Sequence, residues 1–331
     1  MDLELKTNHK AKLAPIAVFA CRRPDHFKNL IASLKENKQC KDSVLFIFIG
    51  GPKSDADWPK VKETLAIAMN IDGFADVRIV ELFGQLTGSG LIRTGVSTVL
   101  KEFERVIVLE DDLEVRCDFL LYMNYALDMY SHSENVAQVS GWSFGVISPN
   151  NPAKTYLFPI TTSWGWATWR RAWIYDFEVQ DDLDWLVQKS NRIHKFNANE
   201  NYNYLHMIER VIAEDYDAWD AVWYLKCFRN SKLIVYPNSS LVLNKGFDGS
   251  GLNFRRNYPW KSVFEESPQT VFLFPDGLEL SKEYKRYTKL LRNWLQTFWP
   301  DSNIKFFIDK LKRKRRQHLN YFKHGYYSIF K

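Results

Sequence analysis

Val106-Ile107-Val108-Leu109-Glu110-Asp111-Asp112-Leu113-Glu114-Val115 is the stretch on which the fold turns. Four consecutive apolar, mostly β-branched residues read as a strand buried on both faces, and three carboxylates follow at its carboxyl end. Adjacent carboxylates repel, so the cluster costs folding energy unless a cation or hydrogen-bond donors answer it. A strand tip is too short for a Ca²⁺ cage of about six or more oxygens. It suits Mg²⁺ or Mn²⁺, held by one or two carboxylates and completed by substrate phosphates. Ligands of open α/β sheets bind outside the carboxyl ends of the strands, which is where these acids stand. A solvated acidic turn or helix start satisfies the same residues, and taken alone they leave the two readings even.

Outward from that strand, apolar runs alternate with helical patterns. Ala14 to Cys21 reads as a first buried strand, and Phe27, Leu30, Ile31 and Leu34 then recur at helical spacing. Val44 to Ile49 is a second strand, stopped by Gly50-Gly51-Pro52, and residues 58–70 a helix. Val77 to Val80 is a third strand, and Leu91 to Phe103 a helix leading into the acidic strand. This alternation predicts βαβ units and a mainly parallel sheet flanked by helices, an α/β fold. Gly88-Ser89-Gly90 lacks the spacing of a phosphate loop or of GxGxxG and is assigned neither role.

Beyond the acids, a helix over 118–129 leads to a strand at Val136 to Trp142. Ser163 to Trp173 packs four of the chain's 12 tryptophans into one short segment. Aromatic clusters usually build core, yet Trp164-Gly165-Trp166 also allows a close backbone approach beside an indole that suits a sugar ring or base. Asp181-Asp182-Leu183-Asp184 reads as an acidic helix start. Glu214, Asp215, Asp217 and Asp220 lie among Trp219, Trp223 and Tyr224. A partly desolvated carboxylate beside indoles can work as a base, and Asp220 is the one chosen, with Trp219 before it and Trp223 three residues on. Leu233 to Tyr236 is another strand. The glycine-rich run Asn244 to Gly251 reads either as a flap over substrate or as an ordinary loop.

Of 331 residues, 46% are hydrophobic and 15% aromatic, enough to bury a large core and to exclude disorder over most of the length. Cys21, Cys40, Cys117 and Cys227 form no CxxC pair, which points to reduced thiols in a cytosolic protein and away from zinc. The first residues lack an apolar signal core, and no run approaches the roughly 18 apolar residues of a span, so membrane contact is expected to be peripheral. Net charge is +6, but residues 301–331 alone carry nine Lys or Arg against two acids. There Ile304, Phe307, Ile308 and Leu311 share a helical face beside Lys312-Arg313-Lys314-Arg315-Arg316. The tail reads as a contact for an anionic membrane surface, or as a helix packed on the body. A nucleic-acid partner is not expected, because the rest of the chain has no such module and no net positive charge.

Taken together, residues 14–255 resemble a nucleotide-sugar glycosyltransferase of the GT-A fold, closest to the N-acetylglucosaminyltransferase I family and related bacterial transferases. Glu110-Asp111-Asp112-Leu113-Glu114-Val115 stands where that family has its version of the DxD metal motif. Ala20-Cys21-Arg22-Arg23 resembles the turn that holds the donor's base, and Trp164-Gly165-Trp166 the loop under donor sugar and acceptor. Trp219-Asp220 resembles the Trp-Asp pair that includes the catalytic base, and Asn244 to Ser250 a glycine-containing flap. The resemblance implies that Asp112 binds Mn²⁺ or Mg²⁺, and that Glu110 and Asp111 contact ribose and donor sugar. It also implies that Cys21 and Arg23 frame the nucleobase, that Trp164, Trp166 and Trp219 line the donor, and that Asp220 deprotonates the acceptor hydroxyl. The family's acidic residue at the second strand has no clear counterpart: Gly50-Gly51-Pro52 stands there, with Asp55 and Asp57 nearby, which leaves the nucleotide open, with a UDP-sugar first among the donors.

The expectation is an inverting, metal-dependent transfer of a sugar to a glycan or lipid-linked acceptor in bacterial surface polysaccharide synthesis, by a cytoplasmic enzyme peripheral to the inner face of the membrane. The expected domains are a GT-A catalytic domain over 1–260, with its nucleotide half at about 14–115 and its acceptor half at about 116–260, and a helical basic extension over 261–331. The rivals are a sugar-phosphate nucleotidyltransferase, for which the first turn lacks glycines, and a non-catalytic carbohydrate-binding scaffold.

Overall fold

Each apolar run predicted as a strand pairs in register with its neighbours in one large sheet. The structure is a computed structural model, and it describes residues 13–84, 88–173, 178–214, 216–250, 264, 267–275, 277, 286 and 288–293. By contact the chain divides into two units, the first drawn from Met1–Glu178 and Asp217–Lys282, the second from Val179–Tyr216 and Glu283–Lys331. The expected boundary at residue 260 and the basic tail over 301–331 both lie outside the described residues.

In the first unit β1 (Ile16–Ala20), α1 (Pro24–Lys35), β2 (Val44–Gly50), α2 (Trp58–Ala68), β3 (Asp76–Leu82) and α3 (Gly88–Glu102) lead to β4 (Arg105–Glu110). β5 (Leu113–Val115), α4 (Phe119–Met129), β6 (Val136–Ser140), β7 (Thr155–Phe158) and β8 (Trp166–Trp169) follow. The second unit holds α5 (Gln180–Val187), α6 (Ser190–Phe196) and α7 (Tyr204–Ile212), and its apolar interior includes Leu186, Phe196, Leu205 and Ile208. Asp181 and Asp182 lie in the first turn of α5, as an acidic helix start should. The chain then returns to the first unit with α8 (Trp219–Arg229), β9 (Leu233–Pro237) and β10 (Val242–Asn244).

The main sheet has the order β3-β2-β1-β4-β8-β6-β9-β7, with a separate ribbon of β10 and β5. β3, β2, β1 and β4 run parallel, as do β6 and β9, while β8 is antiparallel to both β4 and β6. This is the expected α/β class with a mainly parallel central sheet flanked by helices. The sequence did not reveal β8: its Trp166-Ala167-Thr168-Trp169 offers no strict alternation, and its pairing with β4 makes it a strand. All five residues of β1 and the four apolar residues of β4 are buried, each of the Ile, Val, Leu and Phe side chains among them contributing about 1.5–3 kcal/mol by leaving water.

Register decides what meets at the sheet edge. Ala20 pairs with Ile49 and Phe19 with Glu110, so β1, β2 and β4 end level with one another. Because β8 runs the other way, Trp166 pairs with Val108 and with Ser140, which brings the start of β8 to that same edge. In the ribbon, Asn244 pairs with Leu113, and the next residue donates from Lys245 N to Asp112 O at 2.8 Å.

Candidate active site

The acidic turn is built by β4 running out of the sheet. Asp111 N still donates to Phe19 O at 2.9 Å, which holds the turn against the end of β1 and leaves Asp111 only 3% exposed. Arg23, at the start of α1, answers two of the acids: its Nη1 lies 2.7 Å from Asp112 Oδ2 and its Nη2 donates to Asp111 Oδ1. Cys21 N donates to Asp111 Oδ2 at 3.3 Å. The Cys21 thiol is pushed up by burial and then by the Asp111 charge, so it stays protonated and donates from Sγ to Gly51 O at 3.3 Å. Arg22 turns the other way, to Asp57 Oδ1 at 3.2 Å. Of the two acids that the sequence placed near the second strand, Asp57 is therefore the one that reaches the turn after β1.

One guanidinium does not balance this cluster. Burial first, and then the charges of Asp112, Asp111 and Asp220, raise the Glu110 carboxyl to about 8, with only Arg23 opposing. Burial likewise lifts Asp111, against the pull of Arg23. Contacts of Trp219 join α8 to the first half of the chain: its ring stacks on Trp166 and its N donates to Ser89 Oγ at 2.9 Å. Asp220 sits in the first turn of that helix, and burial raises its carboxyl, opposed by the N–H groups of Ala221 and of Asp220 itself and supported by Asp217.

A divalent ion of the hard, oxygen-seeking kind fits this donor set. The carboxylates exceed the positive charge available to them, and they stand at the carboxyl ends of the central strands, where ligands of such sheets lie. Among the described residues no group of three or more His, Cys, Asp or Glu is placed to hold a metal. The protein thus lacks a self-contained cage here, and one carboxylate with phosphates from a substrate is the arrangement that Mg²⁺ and Mn²⁺ accept.

The glycine-rich segment after β10 closes against the acids. A Cβ on Gly246 would stand 2.2 Å from Asp112 Oδ2, so only glycine lets the backbone pass there. Lys245 Nζ reaches Glu114 Oε2 at 3.3 Å, and Asp248 Oδ2 meets His26 Nε2 on α1 at 2.9 Å. Phe247 lies edge-on to Trp164, with ring centroids 5.7 Å apart, and Trp164 in turn stands edge-on to Trp142 at 4.7 Å. Gly165 takes the left-handed φ of +61°, with Val242 Cγ2 2.7 Å from the position of a Cβ, which explains the Trp-Gly-Trp pattern.

The three predicted indoles separate by depth. Trp164 is half-buried beside the flap, whereas Trp166 is 1% exposed and Trp219 9%. Trp166 stacks on Trp219 at 5.2 Å and lies 5.7 Å from Trp173, forming a wall behind the start of α8. The structure therefore gathers Cys21, Arg23, Glu110, Asp111 and Asp112 at one edge, with Trp164 at the flap and the other two indoles in the core, Trp219 directly before Asp220. Residues the sequence did not single out are Ser89, which bonds α8, and Gly246. Only the richness of the flap in glycine pointed toward the second.

No protein-family model matches the chain, and no curated protein sequence matches it. Among solved structures it is similar to S. aureus TarS residues 1–349, at 13% identity and a TM-score of 0.41, over 71% of this chain and 61% of that one. It is also similar to the mannosyltransferase PcManGT from Pyrobaculum calidifontis in complex with GDP-Man and Mn²⁺, at 12% identity and a TM-score of 0.34, over 66% and 70%. A third likeness is to 4-diphosphocytidyl-2C-methyl-D-erythritol synthase from Anaerococcus prevotii, at 12% identity and a TM-score of 0.34, over 68% and 87%. At such scores the likeness carries no inference about activity. This chain spans about three-fifths of the TarS fragment's length.

Proposed function

We propose that the protein is an inverting, divalent-metal-dependent GT-A glycosyltransferase that moves a sugar from a nucleoside-diphosphate sugar to a hydroxyl. One observation supports this reading above the others: Trp166, paired with Val108 of the acidic strand, stacks on Trp219 at 5.2 Å, so the first turn of α8, which bears the partly buried carboxylate Asp220, starts at the edge where that strand ends in the acidic turn. A base and a cation-binding acidic cluster, through whose ion the donor's phosphates would be held, are the two parts that such a transfer needs.

In this reading Asp112 is the residue that would hold Mn²⁺ or Mg²⁺. When bound, the ion supplies Lewis-acid stabilisation of the leaving diphosphate. Glu110 and Asp111 face ribose and donor sugar, the turn at Cys21 and Arg23 frames the nucleobase, and Trp164 carries the apolar face of a sugar, with Trp166 and Trp219 supporting it from behind. Asp220 accepts the proton of the acceptor hydroxyl as its oxygen bonds to the anomeric carbon. The sugar–phosphate bond breaks with its electron pair leaving on the diphosphate. A single displacement inverts the anomeric centre, and proton removal by a placed carboxylate is worth roughly 10²–10⁴-fold. A glycan or lipid-linked acceptor in bacterial surface polysaccharide synthesis, a UDP-sugar donor and a membrane-peripheral, cytoplasmic setting rest on sequence. Among the described residues no helix is long and apolar enough to cross a membrane.

The test is a panel of UDP- and GDP-sugars with Mn²⁺, read by release of nucleoside diphosphate and by the anomeric configuration of the product. Asp220→Asn is expected to keep donor binding and lose nearly all turnover. Full turnover in that variant removes Asp220 from the role, and release of inorganic pyrophosphate from a nucleoside triphosphate and a sugar phosphate would replace glycosyl transfer with nucleotidyl transfer.

A further inference from the structure

The base at residue 220 stands on a helix that does not cap itself. The N-cap of α8 is Ala218, whose side chain offers no acceptor to the N–H groups of the first turn. That need is met from across the fold: Trp219 N donates to Ser89 Oγ at 2.9 Å. The favour is returned, because Ser89 N, in the first turn of α3, donates to Asp217 Oδ2 at 3.1 Å. Two helices distant in sequence thus cap each other, and the carboxylate of Asp217 also lies at the positive end of the α3 dipole.

We infer that Ser89 and Asp217 are positioning residues for Asp220, acting as a reciprocal lock that sets the height and rotation of the first turn of α8 at the acidic edge of the sheet. The inference rests on the proposed role of Asp220 as base. Three contacts fix the helix and no fewer suffice to orient a rigid rod. The backbone of Trp219 is pinned by Ser89, its ring by stacking on Trp166, and the next turn by Trp223 Nε1, which donates to Gln138 Oε1 at 2.8 Å. The third contact holds the body of the helix in the core. The first and second both act on the turn that bears Asp220, but only the first fixes its backbone, so its loss loosens the height and rotation of that turn while the rest of α8 stays anchored. A proton acceptor needs placement within hydrogen-bond reach of the hydroxyl, and a misplacement of about 1 Å can cost on the order of 10²-fold in rate.

The experiment compares steady-state kinetics of the full chain and its variants, with Mn²⁺ and whichever UDP- or GDP-sugar the unaltered chain turns over. Ser89→Ala is expected to lower kcat about 10- to 100-fold with the donor KM unchanged, and Ser89→Thr, which restores a hydroxyl, to recover most of it. Asp217→Ala opens the other half of the lock and is expected to reproduce the kcat loss, so the inference is decided by this variant if Ser89→Ala does not fold. In the Asp220→Asn background, Ser89→Ala is expected to cost nothing more, since it acts through the residue already removed. Undiminished kcat in both single variants, or a loss that multiplies onto that of Asp220→Asn, overturns the lock and leaves the transferase reading standing. No nucleoside diphosphate release from any donor by the unaltered chain overturns the transferase reading, and the lock's purpose with it.

Discussion

Arg23 Nη1 lies 2.7 Å from Asp112 Oδ2, so the residue expected to frame a nucleobase and the residue expected to hold a metal form an ion pair. The same guanidinium also engages Asp111. An arginine fork spans the two carboxylates with separate N–H groups in a fixed plane, a geometry that the compact ammonium of a lysine does not reproduce.

Truncation at this position should therefore be felt as lost stability. Arg23→Ala leaves the buried Asp111 carboxylate without its partner, and breaking a buried pair from one side costs about 3–5 kcal/mol. Urea unfolding with chelator present is expected to show a loss of that order, and Arg23→Lys a smaller one. A loss below about 1 kcal/mol for the alanine variant would mean that Asp111 is neutral or solvated in the native protein.

Gly246→Ala tests the contact between flap and acid. The new methyl would stand 2.2 Å from Asp112 Oδ2, so either the flap lifts or Asp112 leaves Arg23. Overpacking of this kind costs about 1–3 kcal/mol. Calorimetric titration with Mn²⁺ and UDP or GDP is expected to show affinity weakened about tenfold, the equivalent of about 1.4 kcal/mol. Unchanged affinity would separate the flap from the ligand site.

The pH dependence of kcat/KM follows from Asp220. Burial raises its carboxyl, the N–H groups of Ala221 and of Asp220 itself pull the other way, and Asp217 adds to the rise. Since the base must be ionised, activity is expected to fall as pH drops through a value above the usual aspartate figure of about 3.9. Asp217→Asn keeps an acceptor for Ser89 N but removes the charge, so the acid limb is expected to move to lower pH. A limb that stays in place would show that Asp217 acts on Asp220 by position alone.

Stability with pH should carry the signature of Glu110. Its folded carboxyl is raised by burial and by Asp112, Asp111 and Asp220 to about 8, above an unfolded value of about 4.3. The folded state then holds a proton that the unfolded chain releases, so this group's contribution to stability is full below about 4.3 and is lost as pH rises toward 8. In chelator-treated protein, Glu110→Gln is expected to melt above the unaltered chain at pH 8, with the gap closing near pH 4. Equal melting at pH 8 would show that Glu110 is charged and answered in the folded state.

Much of the fold could be read before any coordinates, because its elements are local. The apolar runs at Ala14 to Cys21, Val44 to Ile49 and Val106 to Leu109 read as buried strands from their short length and their β-branched and aromatic content, and the helical spacing of Phe27, Leu30, Ile31 and Leu34 matches α1. The acidic turn was legible for the same reason, since three neighbouring carboxylates after a buried strand are a local pattern. The strand at Trp166 to Trp169 was not, because an aromatic run buried on both faces carries no period and becomes a strand only through its pairing with β4 and β6.

What the chain determined by itself is the set of elements and the acids at the end of β4, which follow from burial and repulsion between neighbours. What only the tertiary structure decided is who answers those acids. Arg23 comes 89 residues before Asp112, and Ser89 130 residues before Trp219, and no spacing in a sequence encodes such meetings. They exist because parallel register brings the ends of β1 and β4 level, and because a helix with an alanine at its cap must find its acceptor somewhere else in the fold.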